Sequence, residues 1–332
     1  MNRPRATGEN YVQYLLASPK VFTAAEAGRV QPDRPDAPSH DAFTRLLNRL
    51  EPDPEALWQD VRPHVKPDSG VLVLDDSTLD KPFAKRIGLV GRHWSGRHKR
   101  VVRGINLLTL LWTDGSALWP CDYRIGDPVL PTTKNDDFRA MLDAAKARGF
   151  APGCVAFDSW YSGLENLKAV RAHGWTFLTQ LECNRLVDIE RGGYKAVSIQ
   201  PIGPTGTLVH LKGFGTILVF RVVATDGHTE HWATNDLEMT EAKRLSVAGL
   251  AWGIEVFHRG LKQHTGVDRC QHRLRKAQRN HIGFAIRAFV RLEYQRVAKG
   301  VSWFESKCRV WRDAVRSYLE QPLYRMPAEA NP

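Results

Sequence analysis

The sequence predicts a mixed α/β sheet flanked by helices. Short apolar runs of strand length recur at residues 71–74, 105–112, 154–157 and 175–181, bounded by Gly, Pro, Asp and Ser. Amphipathic helical stretches at 134–148 and 162–172 separate the later runs. Two of the runs also end in carboxylates, Asp75-Asp76 after Val-Leu-Val-Leu and Asp158 after Cys-Val-Ala-Phe. A buried strand delivers acids to one place only where positive charge compensates them, because an unpaired buried charge is costly.

Taken in order, residues 1–66 read as a helical region, set apart and serving DNA binding or dimerisation. Thr23 is placed to cap a short helix, residues 31–38 hold three prolines, and Phe43, Leu46, Leu47 and Leu50 share one helix face with Arg45 and Arg49 exposed. The first strand, 71–74, ends at the acidic pair, and a long loop or loose ribbon covers 81–103. The runs 105–112 and 117–123 flank Thr-Asp-Gly-Ser and predict a hairpin. Residues 184–235 alternate β-forming pieces with Gly, Pro and Asp-Gly turns, which predicts a β-rich insertion. One helix is expected over 236–262, capped by Thr240. Along it Leu250, Ile254, Phe257 and Leu261 form a stripe, while Glu255, Arg259 and Lys262 share the opposite face with Trp252 at its edge. Further helices follow to residue 323. The expected division is a core over 68–183 and 236–300, interrupted by the insertion, with a helical tail at 301–332.

The chain of 332 residues carries a formal net charge of +11, which points to a polyanionic partner. The charge is blocked. Residues 81–103 hold eight Lys or Arg, among them Arg97, Lys99 and Arg100, and no Asp or Glu; residues 255–299 hold eleven against Glu255, Asp268 and Glu293. Both blocks read as surfaces that follow phosphates. No apolar run approaches the ~20 residues of a membrane span, and no secretory signal is expected in the opening residues. The five cysteines form no Cys-x-x-Cys pair, so neither a disulfide framework nor a four-cysteine zinc site is expected.

Asp76 or Asp75, Asp158 and Glu255 thus stand out by position. Acids at the ends of neighbouring strands meet, and a helix on the sheet can add a third. Three such ligands can hold two Mg²⁺ or Mn²⁺ ions, which suit in-line displacement at phosphorus. Strand alternation turns only one member of the Asp75–Asp76 pair toward a shared site.

The segments LDDSTLDKP, GRHWSGRHKRVVRGINLLTLL, FDSWYSGLENLK, ATNDL and WGIEVFHRGLKQ, over roughly residues 68–290, resemble the DDE transposases of bacterial insertion sequences, in the group with a β-rich insertion before the glutamate. The resemblance implies an RNase H-like core in which Asp76 (Asp75 as the alternative), Asp158 and Glu255 hold two Mg²⁺ or Mn²⁺ ions. It also implies Lys262 on DNA phosphate near the cut; Arg259 and Trp252 on the same helix and Arg97, Lys99 and Arg100 in the first basic block are the further candidate DNA contacts. The group's fuller signature has tyrosine and arginine seven and four residues before the glutamate; here those positions are Ala248 and Ala251. The implied function is cleavage at element ends and strand transfer of the 3′-hydroxyl into double-stranded target DNA, by a homodimer or higher oligomer in the cytoplasm at the nucleoid. A nuclease of the same fold without strand transfer, and a non-catalytic DNA-binding derivative, are the other readings.

Overall fold

Hydroxyl caps set the first helices. Thr7 and Asn10 exchange hydrogen bonds in a capping box that starts α1 (Gly8–Ala17), and Thr23 accepts the Glu26 amide to start α2 (Ala24–Arg29). The proline-containing linker leads to α3 (His40–Arg49), which buries Phe43, Leu46 and Leu47, and to α4 (Glu55–Val61). The computed structural model describes residues 5–95, 99–224 and 227–324.

After these come β1 (Val71–Asp80), β2 (Gly91–Ser95), β3 (Arg100–Thr113), β4 (Leu118–Ile125), α5 (Lys134–Ala147), β5 (Cys154–Phe157), α6 (Leu164–Ala172) and β6 (Phe177–Leu181). The β-rich stretch supplies β7 (Leu186–Asp188), β8 (Lys195–Ala196), β9 (Thr207–Leu211), β10 (Gly215–Val223) and β11 (Thr229–Thr234). Four helices close the chain: α7 (Glu241–Ala251), α8 (Gly253–Thr265), α9 (Arg275–Lys299) and α10 (Trp303–Glu320).

Among the described residues, eleven strands form one sheet in the order β2-β3-β1-β5-β6-β11-β10-β9-β7-β8, with β4 also on β3. β1, β5 and β6 run parallel; the remaining pairs are antiparallel. The 184–235 stretch therefore continues the central sheet through the β6–β11 pair.

Several expectations are corrected by tertiary context. β1 does not end at the acidic pair. β3 runs beside it from Val71↔Thr113 to Asp80↔Gly104 and keeps it extended for ten residues. β5 accompanies only Val71 to Leu74. The segment 81–103 is partly a ribbon, because β2 pairs with the first residues of β3. The helix expected over 236–262 is two helices that meet at Trp252.

Residues 5–66 are not set apart. Their apolar side chains belong to the same buried cluster as the sheet and α9. Tyr11 shares a 2.9 Å hydrogen bond with His281 Nδ1, and Arg287 and Arg291 both pair with Asp60, at 2.7 and 3.0 Å. Arg49 donates to the Ala6 carbonyl.

The second basic block is likewise less free than its composition suggests. Arg275 and Arg279 pair with Asp127, Lys276 with Glu51, Arg287 and Arg291 with Asp60, and Arg296 with Glu293. These cations hold α9 to its surroundings. Among the described residues, no helix is long and apolar enough to cross a membrane.

Candidate active site

The site forms where β5 stops and β1 continues. Beyond Leu74, β1 keeps β3 on one edge and has no β5 partner on the other. Asp158 follows the last residue of β5, whose Phe157 stands opposite Leu74. The open edge is the carboxyl end of a parallel pair, the usual place for ligands in such sheets. A cavity of about 1060 Å³ lies there, lined by Asp75, Asp76, Asp158 and Glu255 together with Arg259 and Lys262. The four acids come from three separate stretches of sequence.

Both members of the Asp75–Asp76 pair line the cavity, contrary to the expectation from strand alternation. With no strand on the β5 side of β1 past Leu74, the cavity reaches around that free edge to both faces. The two acids differ in their surroundings. Asp76 accepts hydrogen bonds from Lys134 Nζ at 2.8 Å, from the Tyr161 hydroxyl at 2.6 Å and from the Asn106 amide. Asp75 is pushed well above the usual carboxylate range by burial and by the charges of Asp158, Asp76 and Glu255. Two residues on, Ser77 accepts from Lys262 Nζ at 2.6 Å, which also donates to the Thr78 carbonyl at 3.0 Å. Alternation therefore puts Asp75 on the side of β1 that meets α8 and Asp76 on the side that meets α5.

Asp158 caps the short 3₁₀ turn Ser159–Tyr161, accepting the Trp160 amide at 3.0 Å. It is exposed to the cavity, yet enough protein surrounds it that its carboxyl is pushed up to about 6, by desolvation and then by Asp76. Glu255 stands in the first turn of α8, where the helix dipole favours a carboxylate. The break at Trp252 creates that helix start. Gly253, the first residue of α8, packs closely on Leu118: a Cβ there would stand 2.7 Å from Leu118 Cδ2. Among the described residues Glu255 and Arg259 form no ion pair, so the simple i,i+4 surface pairing is not what places them.

Sequence reasoning missed the partners of the acids. Lys134 is the first residue of α5, a position where the helix dipole disfavours a cation. Its contact with Asp76 explains that placement, and a lysine next to a Thr-x-x-Asp capping box was the available signal. Tyr161 lies stacked on Phe138, ring centroids 5.2 Å apart, with its hydroxyl directed at Asp76. His258 is buried in the cavity wall, and its Nε2 has no hydrogen-bond partner among the described residues. Burial and Lys262 lower its imidazole to about 3, so it is neutral.

The other expected DNA contacts separate. Arg259 and Lys262 line the cavity; Trp252 is 61% exposed but does not line it. Lys99 and Arg100 are exposed at the tip of the β2–β3 ribbon, away from the cavity wall, and Arg97 lies outside the described residues.

Among the described residues no three acidic, His or Cys side chains are gathered closely enough to cage a metal ion. The donor set fits a hard divalent cation nevertheless. Carboxylates from four residues line one space, and burial together with the charges of their neighbours pushes Asp75 and Asp158 up, a repulsion that such a cation relieves. A divalent ion held by these acids would leave room for water and phosphate oxygens.

The family model described as DDE superfamily endonuclease matches residues 5–192, more than half of the chain. The protein belongs to the DDE superfamily endonucleases. The match includes Asp75, Asp76 and Asp158 and stops before Glu255, which enters the site through the fold. Divalent metal ions serve this endonuclease family in general. Among solved structures, this DDE endonuclease is similar to the piggyBac transposase in a synaptic complex with hairpin DNA. The TM-score is 0.52 at 13% identity, over 98% of this chain and 74% of that one, which shows a shared fold. The Drosophila P element transposase strand transfer complex gives a TM-score of 0.30 at 10% identity over 96% and 87%, too low to carry an argument. A comparison with curated proteins finds no match.

Proposed function

We propose that this DDE superfamily endonuclease is a DNA transposase that cuts at the ends of an insertion sequence and joins the freed 3′-hydroxyl to double-stranded target DNA. One observation carries the reading: Asp76, Asp158 and Glu255, far apart in sequence, line one cavity that Arg259 and Lys262 also line. In this reading Asp76, Asp158 and Glu255 hold two Mg²⁺ or Mn²⁺ ions, with Asp75 beside them. Such ions activate an attacking oxygen and stabilise a leaving one. The Lys134 contact supports Asp76 as the first ligand, since its ammonium supplies positive charge that this carboxylate accepts.

The chain's own residues then bind and orient. Lys262, anchored on Ser77 and Thr78, and Arg259 present positive charge to a phosphodiester over the acids. In the first reaction water adds to phosphorus and the 3′-oxygen leaves with a proton. In the second, that 3′-hydroxyl displaces a 3′-oxygen of the target. His258, being neutral, adds no charge to the space that the phosphate enters. The N-terminal helices brace α9 and through it α8, a supporting role for residues 5–66.

The test is incubation with DNA flanking the gene, in Mg²⁺ and in EDTA. Asp158→Asn and Glu255→Gln are expected to abolish cleavage and retain DNA binding; full strand transfer by either variant overturns the assignment. Asp76→Asn against Asp75→Asn shows which acid is indispensable. Cleavage without joining of a pre-cut end to a plasmid would reduce the function to that of a nuclease.

A further inference from the structure

We propose a second DNA-binding element: a basic cleft beyond Asp80 that holds the phosphates of one duplex arm leading away from the scissile bond. The inference rests on the reading of this chain as a DNA-cutting enzyme. The cleft, about 670 Å³, lies between the loop after β1 and the segment joining α8 to α9, and presents Lys85, Arg86, Arg269 and Arg273. Asp80 belongs both to its wall and to that of the carboxylate cavity. A smaller cavity between them shares Thr78, Asp80, Lys262 and Gln263 with the first and Asp80, Asp268 and Arg269 with the second. The three spaces therefore follow one another along β1.

The two walls are fixed to each other. Lys81 is buried, and its ammonium donates to the carbonyls of Asp268 at 2.7 Å and Cys270 at 2.5 Å. At the far end the Gly88 amide donates to the Arg273 carbonyl, and Arg275 Nε donates to the Gly88 carbonyl at 3.0 Å. A buried lysine spent on backbone carbonyls makes the cleft a built feature, because ordering two basic loops side by side costs electrostatic energy. Among the described residues, no acid lies within ion-pair distance of Lys85, Arg86 or Arg273, whereas Arg269 is 3.5 Å from Asp268. The acids in the wall are Asp80 and Asp268, so the cations exceed them. This separates the cleft from α9, whose basic residues are mostly neutralised by partners within the fold.

Spacing fits an arm of DNA. Asp80 lies four residues past Asp76 in an extended strand, ~13 Å at ~3.3 Å per residue. At ~3.4 Å per step along one strand, that is about four nucleotides from the scissile phosphate. The cleft then meets the backbone of the flanking duplex, where phosphate interactions position the DNA without reading its sequence.

The test compares the full-length protein with a variant carrying Lys85→Gln, Arg86→Gln, Arg269→Gln and Arg273→Gln. All four residues are exposed, and melting curves verify that the variant is folded. Binding of fluorescein-labelled duplexes of about 10 and about 40 base pairs is measured in EDTA across a salt series. For the long duplex, the slope of log affinity against log salt is expected to flatten by about 3.6 in the variant, at ~0.9 for each of four phosphates no longer neutralised. The short duplex, able to fill the carboxylate cavity alone, is expected to show a smaller change. An unchanged slope on the long duplex, with wild-type protein binding normally, overturns the cleft and leaves the enzymatic reading standing. Wild-type protein that binds neither duplex overturns both.

Discussion

Replacing Lys134 with methionine isolates the electrostatics of the site. Lys134 and Asp76 are 2.8 Å apart, with side chains 29% and 15% exposed, so solvent screens the pair incompletely. Methionine keeps the aliphatic stem and removes the ammonium. Asp76 retains Tyr161 and Asn106, and the loss is one charge-assisted hydrogen bond beside three further acids. Such a bond contributes ~1.5–3 kcal/mol. At ~2.1 cal/mol/K of unfolding entropy per residue, ~2 kcal/mol lowers the Tm of a chain this long by about 3 °C. The assay is thermal unfolding at neutral pH in EDTA and then in rising Mg²⁺. In EDTA the variant is expected to melt about 3 °C below wild type. In Mg²⁺ the gap narrows, because a cation bound at Asp76 substitutes for the one removed. Equal melting temperatures in EDTA, or a gap that Mg²⁺ leaves unchanged, would refute the view of Asp76 as a carboxylate awaiting positive charge.

Asp158, raised from 3.8 to about 6, predicts a pH dependence. Metal-dependent cleavage should fall as pH drops below about 6 and protons compete for the carboxylate, which a pH–rate profile measures. For stability the sign is opposite: the raised value stabilises the metal-free protein below the unfolded value of 3.8, and that contribution is lost as pH rises through about 6. Asp158→Asn should therefore stabilise the metal-free protein above that pH and not in acid; the full shift corresponds to ~3 kcal/mol, and exposure to the cavity reduces the expectation to ~1 kcal/mol by denaturant titration. Glu293 is fully buried and accepts the Leu118 amide, Arg296 and Trp303 Nε1, so Glu293→Ala should cost ~3–5 kcal/mol by chemical denaturation. Lys262→Met should depress cleavage more than DNA affinity, since it lines the cavity that the acids line; an equal loss in both would make it a general phosphate ligand.

How much was legible followed from how local each cause was. Val71 to Leu74, the run into Asp158, the stripe of α8 and the caps at Thr23 and Thr240 are decided within a few residues. The extension of β1 to Asp80 depends on β3, whose length compensates for the polar residues Asp-Ser-Thr that would otherwise end a strand. At the break beside Trp252, Gly253 packs closely on Leu118, more than a hundred residues away in sequence. The basic residues of α9 looked available because Asp60, Asp127 and Glu51, which occupy them, lie far upstream. Lys134, Tyr161 and Asn106 converge on Asp76 from three elements, and no spacing rule links them.

The unequal lengths of β1 and β5 have a consequence for how the site assembles. Asp75 and Asp76 ride on backbone that pairs with β3 throughout, Asp158 caps a three-residue turn, and Glu255 sits in the first turn of a helix. Elements with continuous ladder hydrogen bonds open least often, while turns and helix ends open first. Amide exchange should accordingly be slowest at residues 75–80, faster at the start of α8 and fastest at 159–161. Ligand or substrate binding would then slow exchange chiefly at Asp158 and Glu255, the two acids that come to meet a stationary pair.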